Sequence, residues 1–331
     1  MNTNRFFIER ETHCESLPRW GRLRKAFLLS PILHLQLTDR RPMSCKAPPK
    51  GDTFMSERNS SWFQRFPRFQ RFSRRILLFL LACIILQSAC TASVCAVGTG
   101  WYTPRERDHR QPTFGPDLRA VEPYGGYYMD YSHADPAARD KVVYLTFDAG
   151  YENGNVAKVL DALEQEGATG AFFILGHLAE AHPALVRRMA EGGHLVCNHT
   201  YSHKNLCGAS PETVQNELTR LEGACRETAG VTVAKYFRPP EGCFDQALLA
   251  EVQRLGYKTV FWSFAYADWD NRKQPDPAWA QKKILDHVHN GAVLLLHPTS
   301  ATNAEILPTL LRELKAMGYR FGTLDELTGG V

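Results

Sequence analysis

From Val142 to Met317 short apolar runs alternate with amphipathic stretches, and this alternation constrains the fold more than any other feature of the chain. Strands are predicted at Val142–Phe147, Gly170–Leu175, His194–Cys197, Tyr236–Phe237, Thr259–Trp262 and Val293–Leu296. Between and after them, helices are predicted to about Glu166 and over Pro183–Glu191, Pro211–Thr228, Gln246–Leu255, Pro277–His289 and Ala304–Met317. Strands that recur between helices run parallel, because each return needs a crossover. Ser210-Pro211-Glu212 supplies an N-cap, a proline at the first helical position and an acid in the first turn. Val214, Leu218, Leu221 and Cys225 then form one apolar stripe, and Gly256 and Gly318 stand where helices should end. About six or seven such units suit a barrel better than an open sheet, and in either case a site is expected where loops leave the C-terminal strand ends.

The chain has 331 residues, 44% hydrophobic and 22% charged, which excludes wholesale disorder, a collagen-like repeat and a polytopic membrane protein. Its net charge of +4 is an average over unlike parts. Residues 1–75 carry 16 Lys and Arg against 6 Asp and Glu, whereas residues 76–331 carry 23 against 29. The body therefore has no bias towards nucleic acid. Ile76–Leu86 is uninterruptedly apolar and follows Arg65, Arg68, Arg71, Arg74 and Arg75, the n-region and h-region of an export signal. As a helix this run rises about 16 Å, short of a ~30 Å hydrocarbon core. Three fates stay open: cleavage after Val94-Cys95-Ala96, an uncleaved anchor extended through Val97, and lipid attachment at Cys90.

Export signals sit at chain starts, and Met55 immediately precedes a normal n-region. Residues 1–54 accordingly read as an over-extended N-terminus or a disordered tail, 55–97 as the signal or anchor, 98–140 as a linker and packing arm, and 141–331 as the functional domain. Of nine cysteines, Cys197, Cys207, Cys225 and Cys243 lie in that domain. They permit two disulfides in three pairings, or buried free thiols.

Chemistry-bearing residues cluster at the strand ends. Asp148 ends the first strand ahead of Ala149-Gly150, as a general base or as a turn aspartate. His199 and His203 follow the third strand at a spacing that, on a helical turn, points both imidazoles at one metal. Arg238-Pro239-Pro240 follows the fourth as a rigid turn, suited to a carboxylate partner and to backbone amides that form an oxyanion hole, or merely structural. His297 caps the last strand, and Asp268 could orient it as a general acid; a lone histidine there would be structural. Trp262, within Phe261-Trp262-Ser263-Phe264, and Trp269 are either core or rings that stack on a sugar.

The order Asp-x-Gly, His-x-x-x-His, Arg-Pro-Pro, Asp-Trp and Leu-x-His resembles the five motifs of the polysaccharide deacetylases, carbohydrate esterase family 4 with its NodB-homology domain, over about Trp101 to Leu327. Phe147–Gly154, Arg238-Pro239-Pro240 and Phe261–Ala265 are similar to the spore-cortex branch, the delta-lactam-forming muramic acid de-N-acetylases. This resemblance implies a deformed (β/α) barrel of about seven parallel strands that hydrolyses an N-acetyl amide on a glycan. It implies Asp148 as the base, held by Arg238; His199 and His203 as ligands of a divalent metal, zinc or another transition metal; the Glu241 amide at the oxyanion; and His297, oriented by Asp268, as the acid. Peptidoglycan strands are the implied partner, acted on outside the cytoplasm by a monomer whose membrane link is at most its N-terminal signal or anchor. Two residues depart from the family pattern. Ala149 stands where a second aspartate binds metal, which leaves a weaker site, and Glu241 stands where relatives often have Tyr or Arg. Three functions remain in contention: a muramic acid deacetylase, a deacetylase of N-acetylglucosamine or chitin-like chains, and an inactive glycan-binding module.

Overall fold

The computed structural model describes residues 98–330; the expectations for the Met55 start and for the fate of the export signal lie outside the described residues. The described strands, in chain order, are β1 (Thr99–Gly100), β2 (Gly126–Tyr127), β3 (Lys141–Ala149), β4 (Ala171–Ile174), β5 (Leu195–Asn198), β6 (Ala234–Phe237), β7 (Cys243–Phe244), β8 (Lys258–Val260), β9 (Ala292–Leu296) and β10 (Tyr319–Gly322). Eight of them make one sheet in which every pairing is parallel, in the order β10-β3-β4-β5-β6-β8-β2 with β9 also on β3. Nine-residue β3 takes β10 against residues 141–144 and β4 against 146–149, while β9 runs along 143–147. Beyond β8, the chain at Ser263 and Phe264 bonds to Val293 and Leu295 of β9, which brings the sheet back on itself as a deformed barrel.

Period-two alternation sorts the side chains of β3. Val143, Leu145, Phe147 and Ala149 join the core beneath the helices Val156–Gln165 and Ala301–Ala316, together with Leu163, Leu307 and Leu311. Val142 and Tyr144 face the other way, into a second core with Phe173, Phe261 and Trp262. The same parity turns Thr146 and Asp148 inward, where both meet Arg238.

Helix ends follow local chemistry. Pro183–Glu191 has the expected limits, with proline in its first turn and Gly192 and Gly193 after it. The helix expected to Thr228 is α-helical only to Ala224, then widens into a π turn over Cys225–Ala229 that ends at left-handed Gly230. Pro277–His287 stops two residues short of expectation, since Val288 is extended. The last long helix starts earlier than expected, at Ala301, because Ser300 caps it through the Asn303 amide.

Residues 98–140 pack closely on the barrel. β1 pairs antiparallel with β7, and Trp101, 3% exposed, stacks on Phe261 at 4.3 Å and donates from Nε1 to the Trp262 carbonyl at 2.8 Å. Among the described residues no helix is long and apolar enough to cross a membrane.

Candidate active site

Register places the two titratable groups expected to move protons side by side. Phe147 of β3 pairs with Leu296 of β9, so Asp148 and His297 are the next residues out on adjacent parallel strands. Each is held by a partner of opposite charge. Arg238, fully buried at the end of β6, donates from Nη1 to Asp148 Oδ1 at 2.8 Å. Its other donors reach the Val260 carbonyl (2.9 Å), the Phe261 carbonyl (3.1 Å) and Thr146 Oγ1 (2.9 Å), and its plane lies over the Phe173 ring at 4.2 Å. One guanidinium thus spans the barrel interior from β6 to β3, β4 and β8. Burial alone would push the Asp148 carboxyl up, but Arg238, with smaller contributions from His199 and His297, holds it below the usual carboxylate range.

In the loop after β8, Asp268, with no solvent exposure, accepts from His297 Nδ1 at 2.7 Å and from the His297 amide at 2.8 Å. Asn303 Nδ2 donates to the same carboxylate at 2.6 Å and to the His297 carbonyl at 3.0 Å. Burial would lower the imidazolium, yet Asp268 outweighs it and the His297 pKa is raised. A raised pKa keeps the imidazolium protonated to higher pH than an ordinary histidine, and the proton is lost as pH climbs through that value. Asp268→Asn removes the raising charge and leaves the burial in place. The alkaline limb of the pH–rate profile is therefore expected to move to lower pH, with turnover reduced on the order of 10²–10⁴-fold. An unmoved alkaline limb would remove His297 from the acid's role.

His199 and His203 do come together, their rings 5.0 Å apart, but not on the helical turn expected from their spacing. The loop instead uses left-handed backbone at Thr200 (φ 73°) and His203 (φ 56°), braced by Asn198 Oδ1 on the Thr200 amide and Thr200 Oγ1 on the His203 amide. Glu217 further anchors it by accepting from both the amide and the hydroxyl of Ser202, at 2.8 and 2.7 Å. Glu241, solvent-exposed, is left-handed as well (φ 60°, ψ 7°). Three of the five non-glycine residues with positive φ among those described thus lie here, and such backbone costs about 1–3 kcal/mol each and persists only where its surroundings impose it.

The remaining expectations divide. Trp269 is 39% exposed and lies 6.3 Å from the His297 ring, within reach of a sugar. Trp262 is 3% exposed, with Arg238 5.5 Å above its ring, so it belongs to the core and offers no face to a glycan. Pro239 and Pro240 are buried too; they shape the turn that carries Glu241 without lining the cleft. Thr146, Asn198, Glu217 and Asn303 had no signal in the sequence, being isolated polar residues that the fold alone brings to the site. A cavity of about 310 Å³ lined by Arg110, Trp279, Lys282, Asp286 and His289 touches none of the site residues.

The donor set suits a metal only in part. His199 Nδ1 is engaged at 2.8 Å by the Arg238 carbonyl, leaving Nε2, 3.5 Å from Asp148 Oδ2, as the atom that could bind a metal, and burial pushes its pKa down to about 4, so the ring is neutral. Ala149 packs wholly in the core beneath the helices, and among the described residues no group of three His, Cys, Asp or Glu could hold a metal. What remains is a site with two imidazoles.

Residues 135–260 match the model of the polysaccharide deacetylase family. The peptidoglycan-N-acetylmuramic acid deacetylase PdaA of Bacillus subtilis is 37% identical over 228 residues, 69% of this chain and 84% of that one. The chain belongs to the polysaccharide deacetylase family, carbohydrate esterase family 4. The solved structure of this PdaA superposes with a TM-score of 0.65, covering 69% of this chain and 96% of the other. A family 4 carbohydrate esterase from Bacillus anthracis, 32% identical, gives 0.55 over 69% and 99% of the two chains. The peptidoglycan-N-acetylglucosamine deacetylase PgdA of Listeria monocytogenes is 34% identical over 197 residues, 58% of this chain and 40% of its own. Membership in the polysaccharide deacetylases agrees with the deformed barrel of about seven parallel strands expected from the motif order, seven lying in one path with β9 also on β3.

Proposed function

We propose that the protein hydrolyses the N-acetyl amide of N-acetylmuramic acid residues in peptidoglycan. The observation that carries this reading is the pairing of Asp148, held by Arg238, with His297, held by Asp268, at adjacent strand ends. The likeness to PdaA selects the sugar. Asp148, kept ionised, takes a proton from water as that water attacks the acetyl carbonyl, and the Glu241 amide receives the charge that develops on the carbonyl oxygen. His297 then gives its proton to the departing nitrogen, which an amide requires because an amine anion is a very poor leaving group. Trp269 would stack on a neighbouring sugar ring.

His199 and His203 would hold a divalent metal, which when bound polarises the carbonyl and the attacking water. With Ala149 in place of a third donor, the metal should be lost on gel filtration and restored by excess free zinc, cobalt or manganese. His203→Ala should lose bound metal and activity together. Full activity in a preparation shown by elemental analysis to be metal-free would mark a metal-independent variant. Ala149 is also the observation that favours the other reading, an inactive glycan-binding module.

Deacetylation of muramic acid exposes a C2 amine beside the lactyl carboxyl at O3. Ring closure between them is intramolecular, an advantage of roughly 7–11 kcal/mol in favourable cases, so a delta-lactam is the expected downstream product once the peptide stem has been removed. In this proposal residues 55–97 export or anchor the protein. Residues 98–140 pack on the barrel, and 141–331 act outside the cytoplasm as a monomer. Acetate should be released from peptide-stripped peptidoglycan and hardly at all from chitin oligomers. Equal turnover of both would replace the proposal with a general N-acetylhexosamine deacetylase.

A further inference from the structure

Four cysteines stand in the described residues, and two of them are buried away from any partner sulfur: Cys197 inside the barrel and Cys225 at the π turn. The other pair differs. Cys207 Sγ and Cys243 Sγ are 3.0 Å apart, both partly exposed. The backbone around them is built to admit the two sulfurs. At Gly98 a Cβ would come within 2.2 Å of Cys207 Sγ and 2.6 Å of Cys243 Sγ, so only glycine lets the chain cross over them. The next residues, Thr99 and Gly100, pair with Phe244 and Cys243 and hold that crossing in place.

We infer that Cys207 and Cys243 form a disulfide in the exported protein, tying the histidine loop to the turn that carries Glu241. The existence of the bond is independent of the deacetylase reading; its importance for the site rests on it. Cys207 lies four residues past His203, and Cys243 two residues past Glu241. Between them Asn205 Nδ2 already reaches Glu241 Oε2 at 3.4 Å, and Asn205 Oδ1 accepts from the Cys207 amide at 2.9 Å. His203 and Glu241 both occupy left-handed backbone, and a covalent tie between their loops opposes relaxation of either. A sulfur–sulfur bond is about 2.05 Å long, so closure asks for about 1 Å of further approach.

The chemistry is thiol–disulfide exchange with an extracytoplasmic disulfide, of a thiol oxidase or a small molecule. The neighbouring Cys207 thiol lowers the pKa of Cys243, which favours Cys243 as the attacking thiolate. It bonds to one sulfur of the oxidant and expels the other as a thiolate, which takes up a proton. Cys207, losing its proton, then attacks Cys243 Sγ and expels the second oxidant thiolate. Two protein thiols are oxidised to one disulfide, and the oxidant disulfide is reduced to two thiols.

Each of the four cysteines falls in its own tryptic peptide, with Cys207 in 205–220 and Cys243 in 236–254. Protein recovered from outside the cytoplasm, denatured and alkylated without reduction, should yield 205–220 linked to 236–254, with Cys197 and Cys225 alkylated. Alkylation of all four, or a link that includes Cys197 or Cys225, overturns the inference. As a second reading, a reductant should lower the melting temperature of the wild type by roughly 5–15 °C and leave the Cys207→Ser/Cys243→Ser double variant unchanged. Equal shifts in both proteins overturn the tie. Neither measurement reads acetate release, so failure of the disulfide and failure of the deacetylase assignment are separable.

Discussion

Asp148→Asn is expected to fold as the wild type does and to release acetate on the order of 10²–10⁴-fold more slowly. The replacement has the shape of aspartate and can still accept a hydrogen bond from Arg238 Nη1, so the architecture around the guanidinium survives. What it lacks is the negative charge that makes the side chain a base. The buried cation also loses its counter-charge, so a lower melting temperature should accompany the lost turnover. Circular dichroism and acetate assays on the same preparation separate the two effects. Near-normal turnover would take Asp148 out of the reaction.

The second large effect belongs to Arg238. It is fully buried and donates to two backbone carbonyls at and just beyond the end of β8 and to a hydroxyl and a carboxylate of β3. Arg238→Met leaves the Val260 and Phe261 carbonyls without this donor and Asp148 as a buried, unpaired carboxylate. Breaking a buried pair from one side costs about 3–5 kcal/mol. Arg238→Lys is not a remedy, because a single ammonium has no planar fork with which to meet acceptors on opposite sides. Both variants should unfold at lower urea concentration, and in both the Asp148 carboxyl should rise towards neutrality and fail as a base. Unchanged unfolding midpoints would contradict the role given to this side chain.

How far these features were legible beforehand depended on whether they repeat. The alternation along β3 and the apolar stripe from Val214 to Cys225 are periodic, and periodic signals survive without knowledge of neighbours. Short elements such as β10 and the helix at Gly176–Ala181 carry too few residues to show a period and were missed. The motifs at the strand ends were legible as residue types, and Asp148, Arg238, Asp268 and His297 do meet. The geometry that joins His199 to His203 was not, because the left-handed turn at Thr200 leans on an Asn198 side chain that Leu218 and Tyr257 fix in place, and on Glu217, which bonds Ser202. Trp262 stayed open between core and sugar platform for a related reason. An aromatic after a strand can cover a sugar or seal a barrel, and only the position of Arg238 and Trp101 around it decides between them. Asn303 lies in the first turn of a helix far along the chain, with nothing in its surroundings to announce that it would hold Asp268.

The most direct test of the account is to find which sugar loses its acetyl group. Peptide-stripped peptidoglycan treated with the metal-supplied protein, digested to disaccharides and analysed by mass spectrometry should show acetyl loss on muramic acid and not on glucosamine, with none after treatment by Asp148→Asn. Acetyl loss on glucosamine, or glycan left fully acetylated by the wild type, would contradict it.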